Sequence, residues 1–184
     1  MAENFHIVGR TSNLGTVQKT YNWQIRISKP SGVLGTDWTS DLLLKAKTAS
    51  IPGVTINNIE SMFMGMKQNY AGNATLEHTL SVEFEEFEDQ KVHGYLHAWV
   101  NTIFDSQSVQ DGGGGSVANK SDYATTIELQ LYSSDRKKLP KKITFHNAWI
   151  QNVAQVDLSY GDAGAVKFST TFQWDYYTVD STGA

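Results

Sequence analysis

Only one stretch of this 184-residue chain carries a strong helical period, and it lies between stretches that alternate. Within residues 85–104, Val92, Tyr95, Leu96, Trp99, Val100, Ile103 and Phe104 recur at i, i+3, i+4 and i+7, so they share one face at roughly 100° per residue. That face has to be buried against something. Glu85, Glu86, Glu88 and Asp89 crowd the amino end, where unpaired N–H groups favour carboxylates, so the helix is expected over about residues 89–104 with Asp89 as its cap. Gly94 falls on the polar face, where it costs about 1 kcal/mol relative to alanine.

The cover for that face is a sheet. Tyr21, Trp23, Ile25 and Ile27 alternate with Asn22, Gln24 and Arg26, and residues 75–87 alternate more clearly still. There Leu76, His78, Leu80, Val82 and Phe84 oppose Glu77, Thr79, Ser81, Glu83 and Glu85. Extended runs follow at residues 125–132, 143–153, 156–160 and 165–176, the last alternating through Val166, Phe168, Thr170, Phe172, Trp174 and Tyr176. Residues 42–50 and 54–59 read as extended segments broken at Pro52, and residues 62–70 as extended with Met62, Met64 and Met66 around Gly65. Many antiparallel strands with one helix make the fold mainly β: a barrel or sandwich with a flanking α-helix. Residues 1–20 read as an N-terminal arm, 21–178 as one domain, 106–121 as a flexible glycine-rich loop and 179–184 as a tail.

Composition removes several function classes. With no cysteine there are no disulfides or thiolate metal sites. The first ten residues lack a basic region followed by an apolar run, and no stretch approaches a membrane span, so a soluble, unexported chain without a membrane anchor is expected. A net charge of −4 argues against tight binding to a phosphate backbone. The densest basic cluster, Arg136, Lys137, Lys138, Lys141 and Lys142, is interrupted by Leu139 and Pro140 and reads as a hairpin turn.

Chemistry-bearing patterns are equally sparse. His93 and His97 have a metal-compatible i, i+4 spacing but no third ligand, and His78, on the apolar face of its strand, reads as a hydrogen-bonded core residue or one at a subunit contact. The carboxylates of residues 83–89 are explained by a polar strand face running into a helix start. Gly112 to Gly115 precede no Gly-Lys-Ser/Thr, and no serine sits in a Gly-x-Ser-x-Gly elbow. The expectation is no catalytic residue, no cofactor and no metal.

Taken together, three blocks carry a resemblance. The first is Lys47, Thr48, Ala49, Ser50, Ile51, Pro52 and Gly53, followed by Glu60, Gly65, Asn69, Tyr70, Ala71 and Gly72. The second is Leu80, Ser81, Val82, Glu83 and Phe84 leading into Val92, Leu96 and Trp99. The third is Phe145, Asn147, Ala148 and Ile150, then residues 156–160, then 167–172 with Trp174 and Asp175. In this order, from about Tyr21 to Tyr177, the chain resembles the tail tube proteins of contractile-tailed bacteriophages; inner-tube proteins of type VI secretion and tailocins are related.

The resemblance implies a structural subunit of the virion, assembled in the host bacterial cytoplasm. It implies hexameric rings that stack into a hollow conduit for DNA ejection within a contractile sheath. The partners it implies are further copies of the chain, sheath, baseplate and tail-terminating proteins, and DNA in passage without sequence-specific binding. Ile51, Pro52, Met62, Met64, Gly65, Met66 and Tyr70 are the expected ring-stacking loop. A wet, net-acidic lumen face is expected from Glu77, Thr79, Ser81, Glu83 and Glu85, or from Lys167, Ser169, Thr171, Gln173 and Asp175. Two alternatives stand beside this: an inner tube of a tailocin or secretion-type injection system, and a monomeric β-sandwich carbohydrate-binding module that stacks sugars on Trp23, Trp38, Trp149 or Trp174.

Overall fold

Strand order is set by one long strand that serves two sheets. The computed structural model describes residues 17–35, 38–104, 118–156, 159–160 and 164–181. Within them run β1 (Trp23–Ile27), α1 (Thr39–Lys45), β2 (Ala46–Ala49), β3 (Val54–Phe63), β4 (Met66–Leu76), β5 (Thr79–Glu85), α2 (Lys91–Ile103), α3 (Lys120–Tyr123), β6 (Thr125–Leu131), β7 (Lys141–Val153), β8 (Lys167–Gln173) and β9 (Tyr176–Asp180). The main sheet has the order β1-β6-β7-β8-β5-β2, with β9 also on β7, and every pairing is antiparallel. β1 and β2 are its two ends, and β3 and β4 form a separate hairpin.

The bend that folds this sheet into a sandwich lies at Asn147. The β6–β7 register passes from Ile127↔Phe145 to Thr125↔Ala148, which leaves an extra residue on β7, and Asn147 there has φ of 53°. Asparagine enters the left-handed region more readily than most residues, and a bulge strengthens local twist. Before the bulge β7 lies between β6 and β9; after it β7 pairs with β8. The Asn147 amide donates to Asp175 Oδ2 at 2.9 Å, and Lys120 reaches Oδ1 of the same carboxylate at 2.6 Å. Those hydrogen bonds hold the Asp175 carboxyl below its ordinary range.

Between the layers, Leu80, Val82 and Phe84 of β5, Phe168 and Phe172 of β8, and Ile127, Leu129, Ile143 and Phe145 meet Val92, Leu96 and Trp99 of α2, all buried. Trp99 is fully buried, stacks at 5.6 Å on Phe172 and donates from Nε1 to the Tyr123 carbonyl at 2.8 Å. Trp38 lies tilted against it at 6.0 Å, and Tyr95 Oη donates to Asp41 of α1 at 3.0 Å. Each large apolar side chain so buried contributes about 1.5–3 kcal/mol before ordering entropy.

Several local expectations need correction. The central helix starts at Lys91, not 89, and Asp89 does not cap it: Gln90 occupies that position with φ of 46°, and Asp89 pairs with the buried Lys45 at 2.6 Å. Glu86 supplies the acceptor instead, taking the His93 N–H at 2.7 Å and the Phe87 N–H at 3.1 Å. Phe104 lies beyond the helix and is exposed. Residues 42–45, expected to be extended, belong to helix α1, because Trp38 and Leu42 bury one side of a short turn while Leu44 stays outside. The alternation of residues 75–87 spans two strands, β4 and β5, broken at Glu77 and His78. Lys120 and Ser121 belong to helix α3 rather than to the glycine-rich loop, whose residues 106–117 lie outside the described set, as do residues 1–16 of the expected arm. Val156, Ala165 and Val166 are not in strands, and Val179 and Asp180 belong to β9 rather than to a tail.

Candidate functional site

The hairpin is the most unusual surface of the chain. Among the described residues β3 and β4 pair only with each other, over Val54↔Leu76 to Phe63↔Met66, and nearly every residue in them is exposed. At about 3.4 Å per residue their 10 and 11 residues reach roughly 30 Å. The two-residue turn is Met64 and Gly65, with φ of 49° and 80°, the doubly positive conformation that tight hairpins favour. Residues directly opposite in an antiparallel pair share a face. Val54, Ile56, Asn58, Glu60 and Met62 therefore lie with Leu76, Ala74, Ala71, Asn69 and Lys67, while Ile59, Ser61 and Phe63 lie with Tyr70, Gln68 and Met66.

Both faces carry exposed apolar side chains, and at the tip Met62, Phe63, Met64 and Met66 are 75, 67, 90 and 72% exposed. Ile51 is exposed at the base, beside Pro52. Gly72 lies at the bulge in β4, where a Cβ would come within 2.9 Å of the Asn57 carbonyl and 3.0 Å of Ile59. An isolated two-stranded hairpin is marginal in water, so a partner surface has much to contribute here.

The two alternative polar strand faces are one. β5 pairs with β8 so that Thr79 faces Gln173, Ser81 faces Thr171, Glu83 faces Ser169 and Glu85 faces Lys167, all on the side away from the core. Glu77 and Asp175 fall outside these strands, and Asp175 is engaged by Lys120. The expected acidity of this face is offset within it: Lys47 pairs with Glu85, and Lys167 lies 3.8 Å from Glu83. Two carboxylates facing two ammonium groups leave a polar, nearly neutral surface.

A third feature joins residues distant in sequence. Between the start of α2 and the β7–β8 side of the sandwich lies a cavity of about 740 Å³, walled by Phe87, Val153, Val156, Val166 and Phe168, with His93 and His97 beside it. The two imidazole Nε2 atoms are 3.0 Å apart, and His93 packs edge-on against Phe168 at 6.0 Å. Desolvation, with His93 adding to it, lowers the His97 pKa from the ordinary value. Among the described residues no group of three or more His, Cys, Asp and Glu side chains could hold a metal ion. The i, i+4 spacing gives the histidine pair in sequence; of its apolar wall, Val153, Val156, Val166 and Phe168 are linked to it by no local pattern.

Elsewhere, Trp38, Trp99 and Trp174 are buried, Trp23 is half-buried against the core, and the half-buried Trp149 packs edge-on against Tyr123 at 6.1 Å, so these rings are committed inside the fold. His78 is exposed where β4 passes to β5, its Nδ1 3.1 Å from the Trp174 carbonyl. Arg136, Lys137 and Lys138 sit in the β6–β7 connection, while Lys142 of β7 pairs with Glu128 at 2.8 Å. No helix among the described residues is long and apolar enough to cross a membrane.

Among the described residues, then, the antiparallel sandwich carries an exposed apolar hairpin and two end strands, β1 and β2, that each pair on one side. The chain matches the phage tail tube protein family over residues 12–180 and belongs to it. Its role is structural, in a tail tube. Comparison with curated protein sequences gives no significant match. Similar solved structures include the PVC sheath/tube terminator of an extracellular contractile injection system in its extended state, with TM-score 0.62 and 11% identity over 91% of this chain and 99% of that one. The tube-terminating cap of the anti-feeding prophage gives 0.61 and 13% over 92% and 94%, and the PVC sheath-tube complex gives 0.61 and 11% over 94% and 97%. At these identities the likeness is one of fold. The family and these neighbours are tube, terminator and sheath-tube components of virions or phage-like particles.

Proposed function

We propose that the chain forms hexameric rings that stack into a hollow tube, through which DNA leaves the particle inside a contractile sheath, and that it does so without catalysis or cofactor. The observation that carries this reading is the exposed, two-faced apolar hairpin, standing clear of a sandwich whose end strands β1 and β2 each have one edge unpaired among the described residues. Sheet edges and apolar arms are liabilities in a monomer, and closure across copies removes both. In this assembly β1 and β2 of neighbours join the sheets around a ring, the hairpin with Ile51, Pro52, Met62, Met64, Gly65, Met66 and Tyr70 reaches the next ring, and the β5–β8 polar face lines the bore. Sheath, baseplate and terminator proteins bind the outside and the ends, and assembly takes place in the host cytoplasm.

Electron microscopy of the purified protein over a concentration series, alongside sedimentation, tests this. Rings or hollow tubes are expected; a monomer at every concentration and in the presence of preformed tail ends would sink it. Met64→Glu should leave rings intact and stop stacking. In intact particles Glu83→Lys with Glu85→Lys turns a balanced face strongly basic, so it should retain DNA phosphates and slow ejection; unchanged ejection would remove this face from the bore.

The structural neighbours favour a second reading, the inner tube of an injection particle that packages no genome. Whether purified particles contain DNA separates the two.

A further inference from the structure

We infer that the methionine tip of the hairpin seats in the cavity beside α2 of an adjacent copy of this chain, with Lys67 set against Glu88. The inference deepens the stacking reading and rests on it.

Three features match. The tip presents Met62, Phe63, Met64 and Met66, all more than half exposed on a two-residue turn. Methionine is unbranched and polarisable, adapts to irregular apolar space and makes favourable contacts with aromatic rings. The cavity offers Phe87 and Phe168 with Val153, Val156 and Val166, and Phe87 and Val166 are exposed at its wall.

The charges match as well. Lys67 lies opposite Met62 in the hairpin register and pairs with Glu60 at 2.5 Å, yet its side chain stays about half exposed and open to a second carboxylate. Of the cavity's two carboxylates, Glu86 is occupied by the Phe87 and His93 N–H groups, whereas Glu88 has no partner among the described residues. A lysine arriving with the tip would meet an unengaged carboxylate at the rim.

The chain contains no cysteine, so a cysteine pair gives a clean test. Met64→Cys combined with Val166→Cys, assembled and then oxidised, should run on a denaturing gel as a ladder of cross-linked chains, while neither single variant passes beyond dimers. Tubes without a ladder overturn the pocket assignment and leave stacking through the hairpin standing. Failure of the wild-type chain to assemble under any condition overturns both.

Should the double variant not assemble, wild-type tubes decide. Peroxide oxidation of Met62, Met64 and Met66 and diethylpyrocarbonate modification of His93 and His97 should both be suppressed in tubes relative to free protein. Protected methionines beside fully reactive histidines overturn the inference. Histidines equally unreactive in free and assembled protein assign the cavity to the chain's own residues and overturn it too. Glu88→Lys should raise the concentration needed for assembly about tenfold through repulsion with Lys67, and Lys67→Glu in the same chain should restore it; no recovery counts against the pairing.

Discussion

β5 and β3 are built from similar material and have opposite fates. In β5, Leu80, Val82 and Phe84 alternate with polar residues and are fully buried; in β3, Val54 and Ile56 alternate with polar residues on the same strand period and stay exposed. The difference is the cover. β5 lies in a sheet between β2 and β8, and α2 packs on the same core, whereas β3 has only β4. Period-two alternation tells that a face is meant to be buried, not by which molecule. In this family of tube subunits the uncovered alternation is where a neighbour is expected.

The largest effect should come from removing the cover where it exists. Trp99→Ala deletes a fully buried ring that touches Phe172 and Trp38 and leaves the Tyr123 carbonyl without its donor. A loss of about 3–5 kcal/mol is expected in denaturant unfolding of the unassembled protein, with a lower midpoint and an unchanged slope. A loss below about 1 kcal/mol would mean that the helix is not the chief cover of the β5–β8 core.

Disturbing the uncovered strand should do the reverse. Gly72→Val puts side-chain atoms where the Asn57 carbonyl and Ile59 already sit, so the hairpin must shift its register or splay. Since β3 and β4 pair with no other strand, the global unfolding midpoint should move little, by about 0.5 kcal/mol or less, while tube formation falls sharply. Equal losses in folding and assembly would show that the hairpin is part of the core's cooperative unit.

Much of the sandwich was legible because the relevant signals are local. The alternation of Ile25 with Ile27, of Leu80, Val82 and Phe84, and of Phe168 with Phe172 marks strands, and the spacing of Val92, Leu96 and Trp99 marks the helix. Where the reading failed, a tertiary contact overrode a local pattern. Leu76 and Leu80 keep the same parity, so the alternation runs unbroken through the joint at Glu77 and His78, where the chain leaves the hairpin and enters the main sheet. At that joint Trp174 N–H bonds to the His78 carbonyl, a partner 96 residues away. Leu42, Leu43 and Leu44 look like a buried strand, yet a turn of helix buries Leu42 and leaves Leu44 outside. Asp89 was drawn from its expected cap by Lys45, far away in sequence. The cavity beside His93 and His97 has no local signature, because one wall comes from α2 and the segment before it and the other from the ends of β7 and β8 and the connection between them.

The smallest effect is a pH dependence that separates the cavity from the rest of the fold. His97 has a lowered pKa in the native chain because burial and the neighbouring His93 oppose its charge. A base with a depressed native pKa takes up its proton more readily when unfolded, so its contribution is fully present above its ordinary value of 6.5 and is lost as pH falls toward the native value. Filling the cavity with a neighbour's tip would desolvate the His97 imidazole further, so assembly should weaken in the same direction and more steeply than folding does. Glu86 and Glu88 are the carboxylates at this cavity, and β7 and β8 bring no titratable side chain to it. Asp89 and Asp175, both held below the ordinary carboxylate value by lysine, lose their contributions only at more acid pH, as the medium falls through their native pKa values. Between pH 7 and about 5 His97 should therefore dominate the change in assembly. Sedimentation of tubes across that range should show a severalfold fall in assembled material for the wild type and a flatter profile for His97→Gln. Parallel profiles for the two proteins would place the pH-sensitive contact elsewhere in the tube.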